Sequence, residues 1–464
     1  MSAPALWILL PLATSAAMLL FLRRQNLVRG IGIIVSGLLA LTAILQPIGN
    51  VLHLGSISLD IKPELIILGR SFLLSNSQRF ALTLVYVTVF LFLLGMSRRT
   101  IPSKFVPLSL AIAATLLAAL AVQPFIYSSV LVQLAVLLMV LMVKEKSYQP
   151  EQGIFRFLIY LSLAMPCILF SGWIQGGATN VPSDQTRELS VVIFLLVGFS
   201  IWMAVFPFHS WLPQFSRSVH PYYFGLLFCL LPIVTLLIIM NYISSLTWLK
   251  SATYLVPVLR TVGTIMVVYT GVFAATEKDL KRLLAYTVSM ETGFALLMLS
   301  LKSQPGLSLL YQSFIPRIVG LALMAYTLSV FLDNGVQLTI QGNAGVLKKL
   351  PFATFGLLIS MLSISGFPLF AEFPMRLELL QQIVQTSTPT LIWLALGLGG
   401  FMIAPIRIFI HFASSDQANW QINEKISQVV IISIGAILLI LMGGFPQLTA
   451  GMLSPFSTDL MILW

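Results

Sequence analysis

AVFPFHSWLPQFSRSVHP, residues 204–221, closes an apolar run with three prolines, two histidines, a tryptophan and an arginine. Backbone groups freed by a helix break are tolerated in a bilayer only beside protein or water. A membrane helix that ends this way lines something, so the stretch is a candidate working centre. His209 is its candidate proton carrier, because imidazole titrates near neutral pH; the plainer role is a hydrogen-bonding residue beside the break.

The chain around it is 464 residues long, 58% hydrophobic and 9% charged, with a mean hydropathy of +0.97. Average soluble proteins carry about 25% charged residues. The composition specifies an all-α polytopic membrane protein and leaves no room for a soluble domain. About 14 apolar runs of membrane-crossing length follow one another. They cover residues 5–22, 29–48, 79–97, 105–123, 125–143, 154–174, 189–207, 222–243, 255–276, 282–301, 306–332, 352–371, 389–411 and 426–447. The first has no basic region ahead of it and no small-residue cleavage site, and reads as a retained helix. Segment 49–78, with the alternating SISLDIKPELIILG, predicts an extramembrane turn or hairpin. The other long connection is 333–351.

The net charge of +11 is carried mostly by loops, where lysine and arginine set topology; nucleic acid is not an expected partner. Loops after odd-numbered spans hold Arg23, Arg24, Arg29, Arg98, Arg99, Lys104, Lys144, Lys146, Lys278, Lys281, Arg282, Lys348 and Lys349. By the positive-inside rule both termini then face the non-cytoplasmic side of a bacterial inner membrane or thylakoid membrane. Cys167 and Cys229 lie in apolar runs without ligand spacing, and glycine-rich nucleotide fingerprints are missing. No cofactor or metal is therefore expected in this chain, and no catalytic site of its own. If it serves a redox system, the redox groups sit on other subunits.

A second proline-interrupted segment, SGFPLFAEFPMRLELL at 365–380, mirrors the first. Such pairs at corresponding places in two halves of a chain point to inverted-repeat transporters and their ion paths; the plainer reading is prolines that merely end helices. The predicted organisation is 1–104 for helices 1–3 with their turn, and 105–243 for a first five-helix repeat of helices 4–8. A second repeat of helices 9–13 covers 255–411, and a C-terminal helix 14 lies in 426–464. Few ionisable residues fall inside spans: Arg260, Glu291, Arg317, Glu372, Arg376 and Arg407. A charge at the bilayer centre costs roughly 2.5–3.5 kcal/mol on insertion scales, so each needs a partner or a task. Arg260 and Arg407 read as snorkelling near span ends. Glu291 is expected to pair with Arg317 on the next span, as an ion pair fixing helix packing or as a proton relay. Glu372 and Arg376, four residues apart after a break, are expected to face one side.

Three motifs stand in order along the chain: FPFHSWLP (206–213), EKDLKRLLAYTVSMETGF (277–294) and LKKLPFATFGLLISMLSISGFPLFAEF (347–373). They resemble the antiporter-like subunits of complex I, its photosynthetic relatives, the Mrp sodium/proton antiporters and the membrane-bound hydrogenases, within a resemblance covering roughly residues 105–410. The resemblance implies 14 helices, two inverted five-helix repeats with broken helices 7 and 12, and a hydrated midplane chain of glutamate, lysines and histidines that moves protons. Carried over position by position, the seventh-helix lysine of GFAIKMPLFPFH falls on Trp202 of GFSIWMAVFPFH, and the next helix's lysine falls near Pro232. Gln133 is the nearest polar residue to the fifth-helix glutamate. Ser313 and Arg317 replace the histidine and lysine of HALFKALLF, Glu291 stands at the histidine or glutamine of AYSSISHMG, and Arg376 matches the twelfth-helix lysine or glutamate.

The implied function is an antiporter-like membrane subunit of a complex I type NAD(P)H or ferredoxin:quinone oxidoreductase, contributing to redox-coupled proton translocation with a degenerate first-half path. Glu291, Arg317, Glu372, Arg376 and His209 are the path candidates. Two other readings remain: an Mrp-type cation/proton antiporter or inorganic-carbon uptake subunit, and a non-conducting structural subunit of a membrane arm. Other membrane subunits and membrane lipids are the expected partners in all three.

Overall fold

The structure is a computed structural model that describes all residues except 1, 50, 55–56, 68, 98–99, 145–151, 177–184, 415–419, 454–455 and 457–464. Arg98, Arg99 and Lys146 of the basic loops lie outside the described residues.

A short π-turn, Ala5–Leu9, leads into α1 (Leu10–Leu20), and α2 is Gln25–Leu45. The alternating segment forms two antiparallel hairpins, β1 (Val51–Leu54) with β2 (Ile57–Asp60) and β3 (Glu64–Ile67) with β4 (Arg70–Leu73). Then come α3 (Arg79–Gly95), α4 (Phe105–Ala121), β5 (Val122–Gln123), which pairs with β4, and α5 (Ser128–Val143). α6 is Gln152–Gly176, α7 Gln185–Trp202, α8 Trp211–Ser218, α9 Pro221–Ser245 and α10 Thr247–Ser251. α11 is Leu255–Thr276, α12 Leu280–Ser300, α13 Gln304–Asp333, α14 Val346–Lys349 and α15 Pro351–Ile364. α16 (Phe373–Val384), α17 (Thr388–Ala413), α18 (Ile426–Gly444) and α19 (Gln447–Leu453) complete the order. Among the described residues ten helices are long and apolar enough to cross a membrane, and four shorter apolar helices accompany them. The fold is that of an all-α polytopic membrane protein.

The predicted spans match these helices except where proline or glycine cuts them. The expected span 189–207 stops as helix at Trp202, and the chain turns through Ala204 (φ +51) and the 3-10 turn Phe208–Ser210 before α8 resumes. The expected span 352–371 stops at Ile364, where Gly366 adopts φ +71; α16 begins after Pro368, with Pro374 in its first turn. Proline lacks the N–H that would continue the ladder, and glycine alone takes positive φ without steric cost.

The molecule divides into two compact units. Unit 1 comprises Met1–Met203, Leu230–Lys250 and Pro455–Trp464. Its centre is α4, buried along its whole length because alanine, serine and leucine line every face. Trp7 Nε1 donates to Leu39 O at 3.2 Å and the Tyr86 hydroxyl donates to Trp7 O, tying α2 and α3 to the N-terminal turn. Arg70 lies 4.0 Å over the Tyr127 ring, a cation–π contact at the sheet edge. Unit 2 comprises Ala204–Cys229 and Ser251–Ser454. Here α12 is buried on almost every face and α11 packs against it and α17 through glycine. A Cβ on Gly271 would stand 1.9 Å from Gly397 O, and one on Gly263 would stand 2.9 Å from Gly293 O. Small residues allow this approach, and packing rather than hydrophobicity associates helices in lipid. In the 333–351 connection, Ile340 N donates to Lys278 O at 2.8 Å, and Leu280 N donates to Leu338 O at 3.0 Å, fastening the loop to the α11–α12 turn.

Candidate functional site

The buried charges of unit 2 gather where the break before α16 meets α12. Glu291 is in the middle of α12, a helix polar enough to carry threonine, serine and tyrosine yet almost wholly buried. Glu372 is the N-cap position of α16, and Arg376 follows one turn later, so the two side chains share a face. Arg376 Nη2 lies 2.5 Å from Glu372 Oε2 and 2.5 Å from Glu291 Oε1, bridging both carboxylates. All three residues are 3% exposed. The guanidinium carbon sits 3.7 Å from the centre of the Phe294 ring, one turn along α12 from Glu291. Gly366 opens the space for it: a Cβ there would come 2.5 Å from Arg376 Cδ, on a backbone already at φ +71.

Arg317, on α13, is 2% exposed. It is not the partner of Glu291 that the sequence suggested. Among the described residues the ion pair of Glu291 is made by Arg376, because the break re-aims α16 toward α12. Arg317 acts on the same site at longer range, interacting electrostatically with Glu291, Glu372 and Arg376. Two arginines and two glutamates balance, which is how a low-dielectric interior tolerates four charges. The hydrogen bonding does not balance. Glu372 Oε1, Arg376 Nε and Nη1, and Arg317 Nε and Nη2 are buried without a partner among the described residues. The arginine nitrogens need acceptors, which ordered water supplies, and Glu372 Oε1 needs a donor, which water or a proton of its own supplies. Chemically the arrangement holds one carboxylate oxygen, Glu372 Oε1, free to take a proton beside two guanidinium groups.

The other predicted residues lie elsewhere. His209, in unit 2, packs its ring against Tyr269 (centroids 4.1 Å apart) and Phe206 (5.7 Å), with Nδ1 unpartnered. Ser313 is buried and donates to Leu310 O of its own helix at 2.7 Å. Arg407 donates to Ala275 O and Glu277 O at the end of α11, a local cap that explains its charge. In unit 1, Trp202 is 1% exposed and packs on Phe199 (5.8 Å), which meets Tyr242 (5.4 Å), which meets Phe125 (6.3 Å). The position matched to the family's seventh-helix lysine is thus one end of a row of rings. Gln133 donates to the Ser162 hydroxyl at 2.7 Å, and Pro232 lies inside α9, where it removes one N–H from the ladder. Sequence reasoning missed Phe294 and Gly366. The only available signal was the glycine preceding FP at the break, since ring contacts and clearances are set by tertiary packing.

Residues 175–402 match the transmembrane family model described as NADH:quinone oxidoreductase/Mrp antiporter. NADH-quinone oxidoreductase subunit N of Pelagibacter ubique is 26% identical over 198 residues, 42% of this chain and 42% of that protein. The aligned stretches span 42% and 61% of the lengths of two such curated relatives. Among solved structures, a chain of the membrane-bound sulfane sulfur reductase, an archaeal respiratory membrane complex, superposes with a TM-score of 0.85 at 16% identity, covering 98% of this chain and 97% of that one. A chain of the Mrp complex from Dietzia sp. DQ12-45-1b superposes with a TM-score of 0.82 at 14% identity, covering 98% and 97%.

Proposed function

We propose that this antiporter-like membrane subunit, of the family shared by complex I, the Mrp antiporters and the membrane-bound sulfane sulfur reductase, serves a complex I type quinone oxidoreductase in coupled proton translocation. One observation carries the reading: a buried, charge-balanced cluster at a helix break, with Glu372 Oε1 left free beside Arg376 and Arg317. Glu372 and Glu291 hold or pass the proton, and the arginines stand against both as counter-charges. Movement of Arg376 between the two carboxylates would alternate which one is neutralised. His209 stands apart at the other break, where its unpartnered Nδ1 can accept a proton from water.

In this reading the ten long and four shorter apolar helices form a 14-span protein. Residues 105–243 and 255–411 are its inverted repeats, and the interruptions after Trp202 and Ile364 are broken helices 7 and 12. Both termini face away from the cytoplasm, by the basic loops after odd-numbered spans. The first-half path is degenerate, because tryptophan and proline at 202 and 232 hold no exchangeable proton. The same row of rings through Trp202 favours a second reading, a non-conducting subunit that completes a membrane arm.

Purification from native membranes in mild detergent tests the assignment. Co-purifying iron–sulfur subunits and quinone-reducing activity are expected. A complex lacking both, with a sodium-dependent growth defect on deletion, contradicts it and favours a cation/proton antiporter.

A further inference from the structure

Unit 2 carries a half-open groove of about 730 Å³ that the proton path does not use. Its walls are the N-terminal halves of α11 and α17, with Phe206 of the first break at its inner edge. The two helices run in the same direction, since Gly397 meets Val267 and Gly400 meets Gly271. Their N-termini therefore lie at one end, where aligned backbone N–H groups favour negative charge. Arg260 is at that end, about 8 Å along α11 from its start. Among the described residues its Nε is buried without a hydrogen-bond partner, and none of those lining the groove is a carboxylate. Hydroxyls of Thr261, Ser387 and Thr390 surround the same end. Beyond it the lining turns apolar, with Ile265, Phe206 and Trp393 exposed.

This gradient, from a cation with an unmet acceptor demand to an apolar channel, has the polarity of a lipid. We propose that the groove binds one anionic phospholipid, its phosphate on the Arg260 guanidinium and an acyl chain along Ile265 and Trp393. An apolar transmembrane helix of a neighbouring subunit would leave the Arg260 Nε demand unmet, whereas a phosphate supplies the acceptor. The acyl chain covers the irregular backbone at Phe206, whose N–H donates to the Met266 sulfur, a weak acceptor, at 3.3 Å. Exposed non-helical backbone at membrane depth needs such cover. The lipid thereby reaches the packing of Tyr269 on His209 and steadies the first break.

The test uses the delipidated full-length protein, titrated with phosphatidylglycerol or phosphatidylcholine and read by native mass spectrometry. Wild type is expected to bind phosphatidylglycerol about tenfold or more tightly, because the choline cation of phosphatidylcholine offsets the phosphate that phosphatidylglycerol presents to Arg260 with its net negative charge intact. Arg260→Gln abolishes that preference and Arg260→Lys retains most of it. Ile265→Trp blocks the chain and weakens both lipids without touching the charge. Equal affinity for the two lipids, or an intact preference in Arg260→Gln, overturns the proposal. A photoreactive residue at 393 in the native assembly gives a lipid adduct if the proposal holds; an adduct to a neighbouring polypeptide overturns it.

Discussion

Arg376 is the residue on which the second-half site depends, because one of its nitrogens serves two carboxylates from different helices. Arg376→Met would leave two buried carboxylates, Glu291 and Glu372, with Arg317 as the counter-charge that remains among the described residues. Breaking a buried pair this way costs about 3–5 kcal/mol, whereas replacing every partner by neutral groups is often close to neutral. The apparent Tm in detergent should fall sharply for Arg376→Met and recover in the double variant with Glu372→Gln, which leaves Glu291 balanced by Arg317. A double variant as unstable as the single would sink the charge-balance account. A second test lies outside the spans, at His220 in the turn before α9, whose Nδ1 accepts from Tyr222 N at 3.2 Å and caps the helix. Burial, helped by Lys281 and opposed by Asp333, lowers its pKa from 6.5 to about 4. The unfolded chain therefore takes the proton first as pH falls. The contribution is complete above pH 6.5 and is lost between there and about 4. At about 1.4 kcal/mol per pKa unit this amounts to at most roughly 3.5 kcal/mol. Thermal stability should drop over that window in wild type and stay flatter in His220→Gln; identical profiles would remove the assignment. The sequence made the Glu372–Arg376 pair legible, since a four-residue spacing fixes a shared helix face. It misassigned the partner of Glu291, because adjacent spans suggest neighbours while the actual choice depends on how a broken helix re-enters the bundle.

At the level of elements, two features locate the site: the break at Gly366 and the tight seam between α11 and α17. Gly366→Ala forces a side chain onto positive φ and into the Arg376 Cδ. The strain is on the order of 1–3 kcal/mol, and the expected result is a lower Tm together with reduced turnover, because Arg376 must shift. Gly397→Leu cannot fit against the Val267 carbonyl without separating the helices, and should lower stability more than Gly399→Leu two residues on, whose added Cβ meets nothing within 4 Å. Equal losses from the two would show that the seam is not close-packed in solution. The existence and order of the apolar helices were legible from hydropathy, and the two interruptions from their prolines. Their limits were not. Hydropathy continues through AVF and through FPLF, so the expected spans overran Trp202 and Ile364, where backbone conformation and not polarity ends the helix.

For the whole molecule, the antiporter-like fold and membrane insertion follow from composition and motif order, and the same fold recurs in assemblies with different partners. Topology is a matter of charge placement. A single cysteine introduced at Ser2 in a cysteine-free background should react with a membrane-impermeant maleimide from the non-cytoplasmic side only; labelling from the cytoplasmic side would invert the assignment. Ion transport is the central claim, and it locates the live path in unit 2 and not at the aromatic row of unit 1. The most direct measurement is proton pumping per electron by the intact complex in proteoliposomes, comparing Glu372→Gln and Glu291→Gln with Trp202→Phe. The account predicts that either glutamine lowers the ratio by this subunit's share while Trp202→Phe leaves it unchanged. Undiminished pumping in both glutamine variants, or a loss confined to Trp202→Phe, would contradict it.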